Sequence, residues 1–255
     1  MPLKIAVQMD PIESVNIKGD SSFALMLAAQ ERGHEVFEYH VESLTLDADD
    51  RLYAQGFPVT VRKVEGDHFV KGEAVRLDLG KDIDVILMRQ DPPFHMGYIT
   101  ATHLLERIAG ETLVVNDPAS VRNAPEKVMV LDYRRFMPPT LITRSVDEVR
   151  RIVLSDGEGA GASNRIPGEG EFRSNLAMGG SAEKTALTER EVEICEAMGP
   201  DLKRLGLTFV GIDVIGGKYL TEINVTSPTG IVAISEFDGT DLAGMIWDAI
   251  EGRIA

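Results

Sequence analysis

Residues 209–230 read FVGIDVIGGKYLTEINVTSPTG, and this stretch decides the architecture. Phe209 to Ile215 alternates, Gly216-Gly217 supplies a two-residue turn, and Lys218 to Val225 alternates again. That is the pattern of a β-hairpin. A turn at 216–217 pairs Ile215 with Lys218, so Asp213 faces Leu220 and Gly211 faces Glu222. Side chains alternate between faces along a strand. One face then carries Val210, Ile212, Val214, Tyr219, Ile223 and Val225, and the other carries Asp213, Glu222 and Asn224. Three hard oxygen donors on one side of a hairpin with an apolar back suit Mg²⁺, which takes few protein oxygens and completes its shell with water and phosphate. On spacing alone, a solvated acidic face explains these residues better. A three-residue turn would flip one strand and scatter the set.

The chain has 255 residues, enough for a large core and more than one domain. Its 44% hydrophobic and 26% charged content is that of a soluble globular protein. A net charge of −15 argues against a nucleic-acid partner. It also makes individual Arg and Lys residues informative, because an acidic protein that handles anions must gather positive charge locally. The single cysteine, Cys195, excludes an intramolecular disulfide and favours a reducing compartment. It reads as a small, partly buried helix residue rather than a nucleophile. Met1-Pro2-Leu3-Lys4 leads straight into a strand without a signal-peptide apolar region, and no apolar run approaches a membrane span. The expectation is a cytoplasmic protein with no membrane partner.

Lys4 to Met9 reads as a strand, Asp20-Ser21-Ser22 as the N-cap region of a helix running from Phe23 and ending near Gly33, and His34 to His40 as a second strand. This spacing predicts a βαβ unit and a parallel sheet. His34 and His40 read as strand-end residues. Short β-like pieces follow at Val59 to Val64 and Phe69 to Leu77. Asp84 to Met88 is a buried strand running into Arg89-Gln90-Asp91-Pro92-Pro93-Phe94. Arg89 and Asp91 thus sit at a strand's C-terminal end, where open α/β sheets bind ligands. A local Arg–Asp ion pair explains them equally well. Tyr98 to Ile108 is a helix and Thr112 to Val115 a strand; Asn116-Asp117-Pro118 begins a loop and short helix reaching Asn123, and Ala124-Pro125-Glu126-Lys127 starts another helix. Thr140 to Thr143 and Gly159 to Asn164 read as strands. Gly168 to Ala186 is a glycine-rich loop, expected to be a mobile lid that orders with ligand. Thr188 to Leu205 is a helix with a capping box from Thr188 and Glu191, and Thr240 to Ile250 is a closing helix.

Several stretches resemble bacterial glutathione synthetase, an ATP-grasp enzyme. They are Met9-Asp10-Pro11-Ile12, Asn16-Ile17-Lys18 with Asp20 to Ala24, Leu87-Met88-Arg89 with Asp91 to Phe94, and Asn116 with Pro118. Glu126-Lys127, Asn164 to Pro167, Arg173 with Asn175, Gly179-Gly180, and Phe209 through Pro228 continue the series in the family's order. The resemblance implies an α/β fold: an N-terminal parallel-sheet (pre-ATP-grasp) substrate domain over 1–122, the start of the central ATP-grasp region over 123–150, and a C-terminal catalytic ATP-grasp domain over 151–255. It implies ATP-dependent ligation of γ-glutamylcysteine and glycine through an acyl phosphate. Mg²⁺, or Mn²⁺ in its place, would be held by Asp213, Glu222 and Asn224. Lys127, with Asn224, would contact the nucleotide. Arg165 would steady the acyl phosphate, and Arg173 a substrate carboxylate. Arg89, Asp91, Ser227 and Thr229 would bind substrate. A homo-oligomer is expected.

Two departures stand out. Ser181 follows Gly179-Gly180 where the family commonly has Arg. Between Val149 and Arg151 the family has several tens of residues of the central clamp, including a second phosphate-binding Lys. Ser145 to Val149 begins like a helix and Arg151 to Leu154 is already a strand, with no turn residue between them. The junction at 149–151 is therefore expected to be a physical break, with Cα atoms much further apart than the bonded ~3.8 Å. The incomplete clamp keeps two alternatives open: a different ATP-grasp carboxylate–amine ligase, and a truncated, non-catalytic protein that binds a peptide or anion.

Overall fold

The computed structural model describes residues 2–140, 142, 162–166 and 181–254. Strand β1 (Lys4–Gln8), helix α1 (Ser21–Glu31) and strand β2 (Glu35–Tyr39) form the expected βαβ unit. Asp20 starts α1 by accepting a 2.7 Å hydrogen bond from the Phe23 N–H, which satisfies one of the donors a helix start leaves free. β1 pairs in parallel with β2 on one side and with β7 (Val85–Met88) on the other. β7 in turn pairs in parallel with β8 (Leu113–Val115), reached through helix α2 (Met96–Glu106). β1 from Ile5 onward and all of β7 are buried, as strands covered on both faces must be.

Beyond β2 the sheet turns antiparallel. The ten-residue strand β4 (Leu52–Val61) pairs with β2 and gathers β3 (Thr45–Leu46), β5 (Phe69–Lys71) and β6 (Val75–Asp78). The chain leaves β1 toward β2 but continues from β7 toward β8 on the opposite side. The strand order therefore reverses beside β1 and β7.

The rest of the chain covers this sheet. Helices α3 (Pro118–Asn123) and α4 (Glu126–Met129) lead into a 3₁₀ segment, Val130–Phe136. β9 (Ala162–Ile166) and β10 (Ser181–Thr185) form an antiparallel pair. Then come α5 (Glu189–Arg204), β11 (Gly211–Ile215), β12 (Tyr219–Asn224), α6 (Ile231–Asp238) and α7 (Leu242–Ile254). One face of the sheet, with Ile5, Val7 and Leu87, shares a core with Phe23 of α1 and Trp247 and Ile250 of α7. The other, with Ala6 and Ile86, shares one with Tyr98 of α2, Ile194 of α5, and Val214, Leu220 and Ile223 of the hairpin. Asn116, 4% exposed, joins the sheet to the C-terminal part: its Oδ1 accepts from Thr208 N and Phe209 N, and its Nδ2 donates to Phe209 O and Val225 O, all within 2.7–2.8 Å.

Residues 181–185 form a strand where the glycine-rich loop was expected to continue to Ala186, because they pair with β9 residue for residue. β9 runs on to Ile166, two residues past the expected Asn164, and α6 was not anticipated; residues 159–161 of the expected strand lie outside the described residues. Thr140 and Ile142 belong to no strand. The junction at 149–151, Arg173 and residues 168–180 of the expected lid lie outside the described residues. No helix among the described residues is long and apolar enough to cross a membrane.

Candidate active site

The hairpin β11–β12 places Asp213 directly opposite Glu222 and Gly211 opposite Asn224. Opposed residues of an antiparallel pair share a face, so the three oxygen donors do face one way. The register that achieves this is not the expected one. Ile215 pairs with Tyr219 and Val214 with Leu220, so the connection is one residue longer than a two-residue turn; an irregularity between Asp213 and Val214 then takes up one further residue, Thr221. Asp213 accordingly faces Glu222 rather than Leu220, and Tyr219 lies on the face opposite Val214 and Leu220. Gly216 and Gly217 turn the chain at φ 59° and 61°, a region open to glycine at little cost. Thr221 Oγ1 donates to Asp213 O at 3.1 Å within the irregularity.

Lys127, at the start of α4, is ion-paired to Glu222 across this face. Glu126 beside it accepts a 3.3 Å hydrogen bond from Thr226 Oγ1. Asn224 Oδ1 accepts from Thr226 N at 3.1 Å, and its 3.2 Å contact with Thr226 Oγ1 completes the link. Burial, then the neighbouring Glu222 charge, raises the Glu126 carboxyl above its ordinary range. Among the described residues no three His, Cys, Asp or Glu side chains gather into a metal cage. The donor set is two carboxylates and an amide, which fits a cation that keeps water and phosphate ligands. A cavity of about 380 Å³ opens beside it, lined by Pro92, Phe94, Tyr98, Glu126, Lys127 and Thr226. This is within the size range of small-ligand sites.

The second group of expected residues also converges. Arg89 is 6% exposed. Its Nε donates to Ser22 Oγ at 3.1 Å and its Nη2 to Pro228 O at 3.0 Å. The guanidinium lies 5.2 Å from the Phe209 ring centroid. Ser227, buried, hydrogen-bonds the Asp91 carboxyl. Loss of hydration around the carboxyl, then Asp10 beside it, raises Asp91 although the residue keeps solvent contact. Arg89 and Asp91 are therefore not simply each other's partners: residues 139 positions away complete the group. Thr229, exposed, follows Pro228 at the rim. Arg165 lies on β9, opposite Ala182. Glu126 and Thr226 had no expected role; their only sequence signal is adjacency to Lys127 and to the Asn224 strand.

Two family models match the chain. The N-terminal domain of prokaryotic glutathione synthetase covers residues 3–122, and the ATP-grasp domain of the same enzyme covers residues 148–239. A curated glutathione synthetase of Rhodopseudomonas palustris is 46% identical over 316 positions, with all of both chains covered. The chain belongs to the prokaryotic glutathione synthetase family. A more distant glutathione synthetase, from Vibrio vulnificus, is 34% identical and spans all of this chain and 99% of its own. Among solved structures, the macrocyclase MdnB of Microcystis aeruginosa superposes with a TM-score of 0.57 over 97% of this chain and 98% of its own, at 11% identity. That likeness concerns the fold. In the glutathione synthetase frame, Arg89 and Asp91 fall in the N-terminal model, and Asp213, Glu222 and Asn224 in the ATP-grasp model. The Rhodopseudomonas alignment has 316 positions and this chain 255 residues, so at least 61 positions have no counterpart here.

Proposed function

We infer that the chain joins γ-glutamylcysteine to glycine, converting ATP to ADP and phosphate. The observation that carries this is the 46% identity to a curated glutathione synthetase across both whole chains. The cysteinyl carboxylate attacks the γ-phosphorus and ADP leaves. The glycine amine then attacks the acyl carbon, phosphate leaves, and the amide forms. Catalysis of this kind rests on positioning and charge neutralisation.

In this reading Asp213, Glu222 and Asn224 hold Mg²⁺, and Mn²⁺ is accepted by the same oxygens. When bound, the cation neutralises the phosphate oxygens. Lys127 leaves Glu222 for the phosphates. The pairing of Lys127 with Glu222 supports this exchange, since each group stands where the other's ligand would be. Arg165 steadies the acyl phosphate, Arg173 a substrate carboxylate, and Ser227 and Thr229 donate at the rim. The cavity beside Lys127 receives the dipeptide, with Asp91 and Arg89 beyond it. The domain limits are 1–122, 123–150 and 151–255.

The test is release of ADP by the purified chain with each substrate omitted in turn. ADP formed in step with glutathione, only when both substrates are present, is the expected result. ADP formed with another amino-acid pair and not with this one overturns the assignment. The shortfall of 61 positions favours one second reading, a chain that holds the dipeptide without turnover. Binding without ADP release would establish it.

A further inference from the structure

Two residues stand against the proposed cation face without a part in the roles above: Glu126, at the start of α4, and Thr226, two residues beyond Asn224. Thr226 is 7% exposed, and the backbone on both sides of it is pinned. Val225 O accepts from Asn116 Nδ2 at 2.8 Å, and Pro228 O accepts from Arg89 Nη2 at 3.0 Å. The Thr226 hydroxyl is therefore held between two oxygens, Glu126 Oε1 at 3.3 Å and Asn224 Oδ1 at 3.2 Å. A hydroxyl has one proton to give. Hydrogen bonds to ionised groups are roughly twice as strong as neutral ones, so the proton goes to the Glu126 carboxylate. Asn224 Oδ1 is oriented separately, by the Thr226 N–H at 3.1 Å. An amide oxygen has two lone pairs. One is taken by that N–H, and the other stays open as long as the hydroxyl proton points to Glu126.

We propose that Glu126 is a positioning residue for the cation: by taking the Thr226 hydroxyl proton, it keeps the second lone pair of Asn224 Oδ1 open for a divalent metal. The inference rests on the reading of Asp213, Glu222 and Asn224 as the metal face. Without Glu126 the hydroxyl turns to its other neighbour, Asn224 Oδ1, and competes with the cation for that oxygen. Partners beyond the ligands tune metal sites in this way. The carboxylate is presented from a fixed base. Pro125 O accepts from Val128 N and Met129 N at 2.8 and 2.9 Å, and Met129 and Val130 behind them are buried. The next residue, Lys127, is ion-paired to Glu222, so one short stretch addresses two of the three donors. A purely electrostatic role for Glu126 would act differently. A carboxylate near the face attracts a cation whatever its hydrogen bonds, so the two roles separate in uncharged variants that do and do not accept a proton.

The test is binding of Mn²⁺ to the full chain, with and without ADP, followed by loss of the free ion's electron paramagnetic resonance signal. Thermal melting checks that each variant folds, and ADP release is measured separately. Glu126→Met should weaken Mn²⁺ binding by about 10- to 100-fold. Glu126→Gln, equally uncharged but still an acceptor, should bind the ion about 10-fold more tightly than Glu126→Met, the worth of one hydrogen bond. Thr226→Val removes the competing hydroxyl. Alone it should stay within about 3-fold of the parent, and in the Glu126→Met background it should restore about 10-fold. Equal binding by the Gln and Met variants, or a Thr226→Val change that leaves the Glu126→Met loss intact, overturns the inference. If Glu126→Met does not fold, Thr226→Val decides: a loss beyond about 10-fold makes the hydroxyl a support of the ion and overturns the inference. No Mn²⁺ bound by the parent refutes the metal face and the inference with it. The predicted pattern of Mn²⁺ binding without ADP release refutes the ligase reading alone.

Discussion

Asn116→Ala tests whether the two parts of the molecule are held in one frame by a single side chain. Four hydrogen bonds of 2.7–2.8 Å are lost at once. Thr208 is only partly buried, and its N–H can turn to water. Phe209 is 6% exposed and Val225 fully buried, so Phe209 N, Phe209 O and Val225 O stay orphaned. Each orphan costs about 1–3 kcal/mol. Local relaxation and water entry keep the sum toward the lower end, about 3–5 kcal/mol. For a chain of this length each kcal/mol moves Tm by about 2–4 °C, so Tm should fall by roughly 6–20 °C. Asn116→Asp sharpens the test, because it keeps the acceptor for Thr208 and Phe209 and turns the donor into a carboxylate oxygen facing two carbonyls. The assay is thermal melting followed by circular dichroism. An Asn116→Ala protein that melts within 2 °C of the parent, or an Asn116→Asp protein as stable as the parent, refutes the argument.

Other outcomes follow from the same geometry. Glu222→Gln should lower kcat/KM for Mg-ATP by about 100-fold and leave Tm within about 3 °C, since its Lys127 partner is mostly exposed; unchanged activity would refute the metal face. Glu38 is fully buried and ion-paired to Lys71 Nζ at 2.5 Å, so Lys71→Met should cost about 3–5 kcal/mol in urea unfolding, and adding Glu38→Gln should recover much of it. Lys71 also hydrogen-bonds Glu13 and so lowers that carboxyl below its usual value of 4.5. Its contribution is present above that value and is lost as pH falls through the depressed one, so the acid-side loss of stability should be shallower in Lys71→Met. Thr188→Ala removes both the cap of α5 and the bond from Thr188 Oγ1 to Gly217 O, 2.9 Å long; a loss of about 1–2 kcal/mol is expected on melting.

Features fixed by local chemistry were legible in the sequence. Asp20-Ser21-Ser22 before an apolar run and Thr188 three residues before Glu191 announced two helix starts; Asp20 is the residue that caps the first, and the Thr188 capping box forms as read. The strands flanking α1 were legible for the same reason; the common face of Asp213, Glu222 and Asn224 came out as expected because two departures from the expected register offset each other. What failed depends on distant partners. The first half of β4 was missed because Gly56 and Pro58 interrupt the pattern; Pro58 is tolerated in a strand that exchanges partners along its length. α6 was missed because it starts after Gly230, at φ 104°, without a side-chain cap. Arg89 showed only as an arginine after a strand. Its partners, Ser22 and Pro228, lie 67 and 139 residues away, and no local pattern announces them.

The hairpin carries a rule about length. Its connection has one residue more than a two-residue turn, and the irregularity at Thr221 has one more again. Each alone would exchange the inner and outer sets of β12; together they cancel. Insertions and deletions between Gly216 and Glu222 should therefore be counted in twos. A chain altered there by one residue would present Leu220 and Ile223 to the cleft and bury Glu222 and Asn224. One altered by two keeps its donors in place, with only the loop to adjust. In a library of loop-length variants, function should alternate with even and odd changes instead of fading gradually with size.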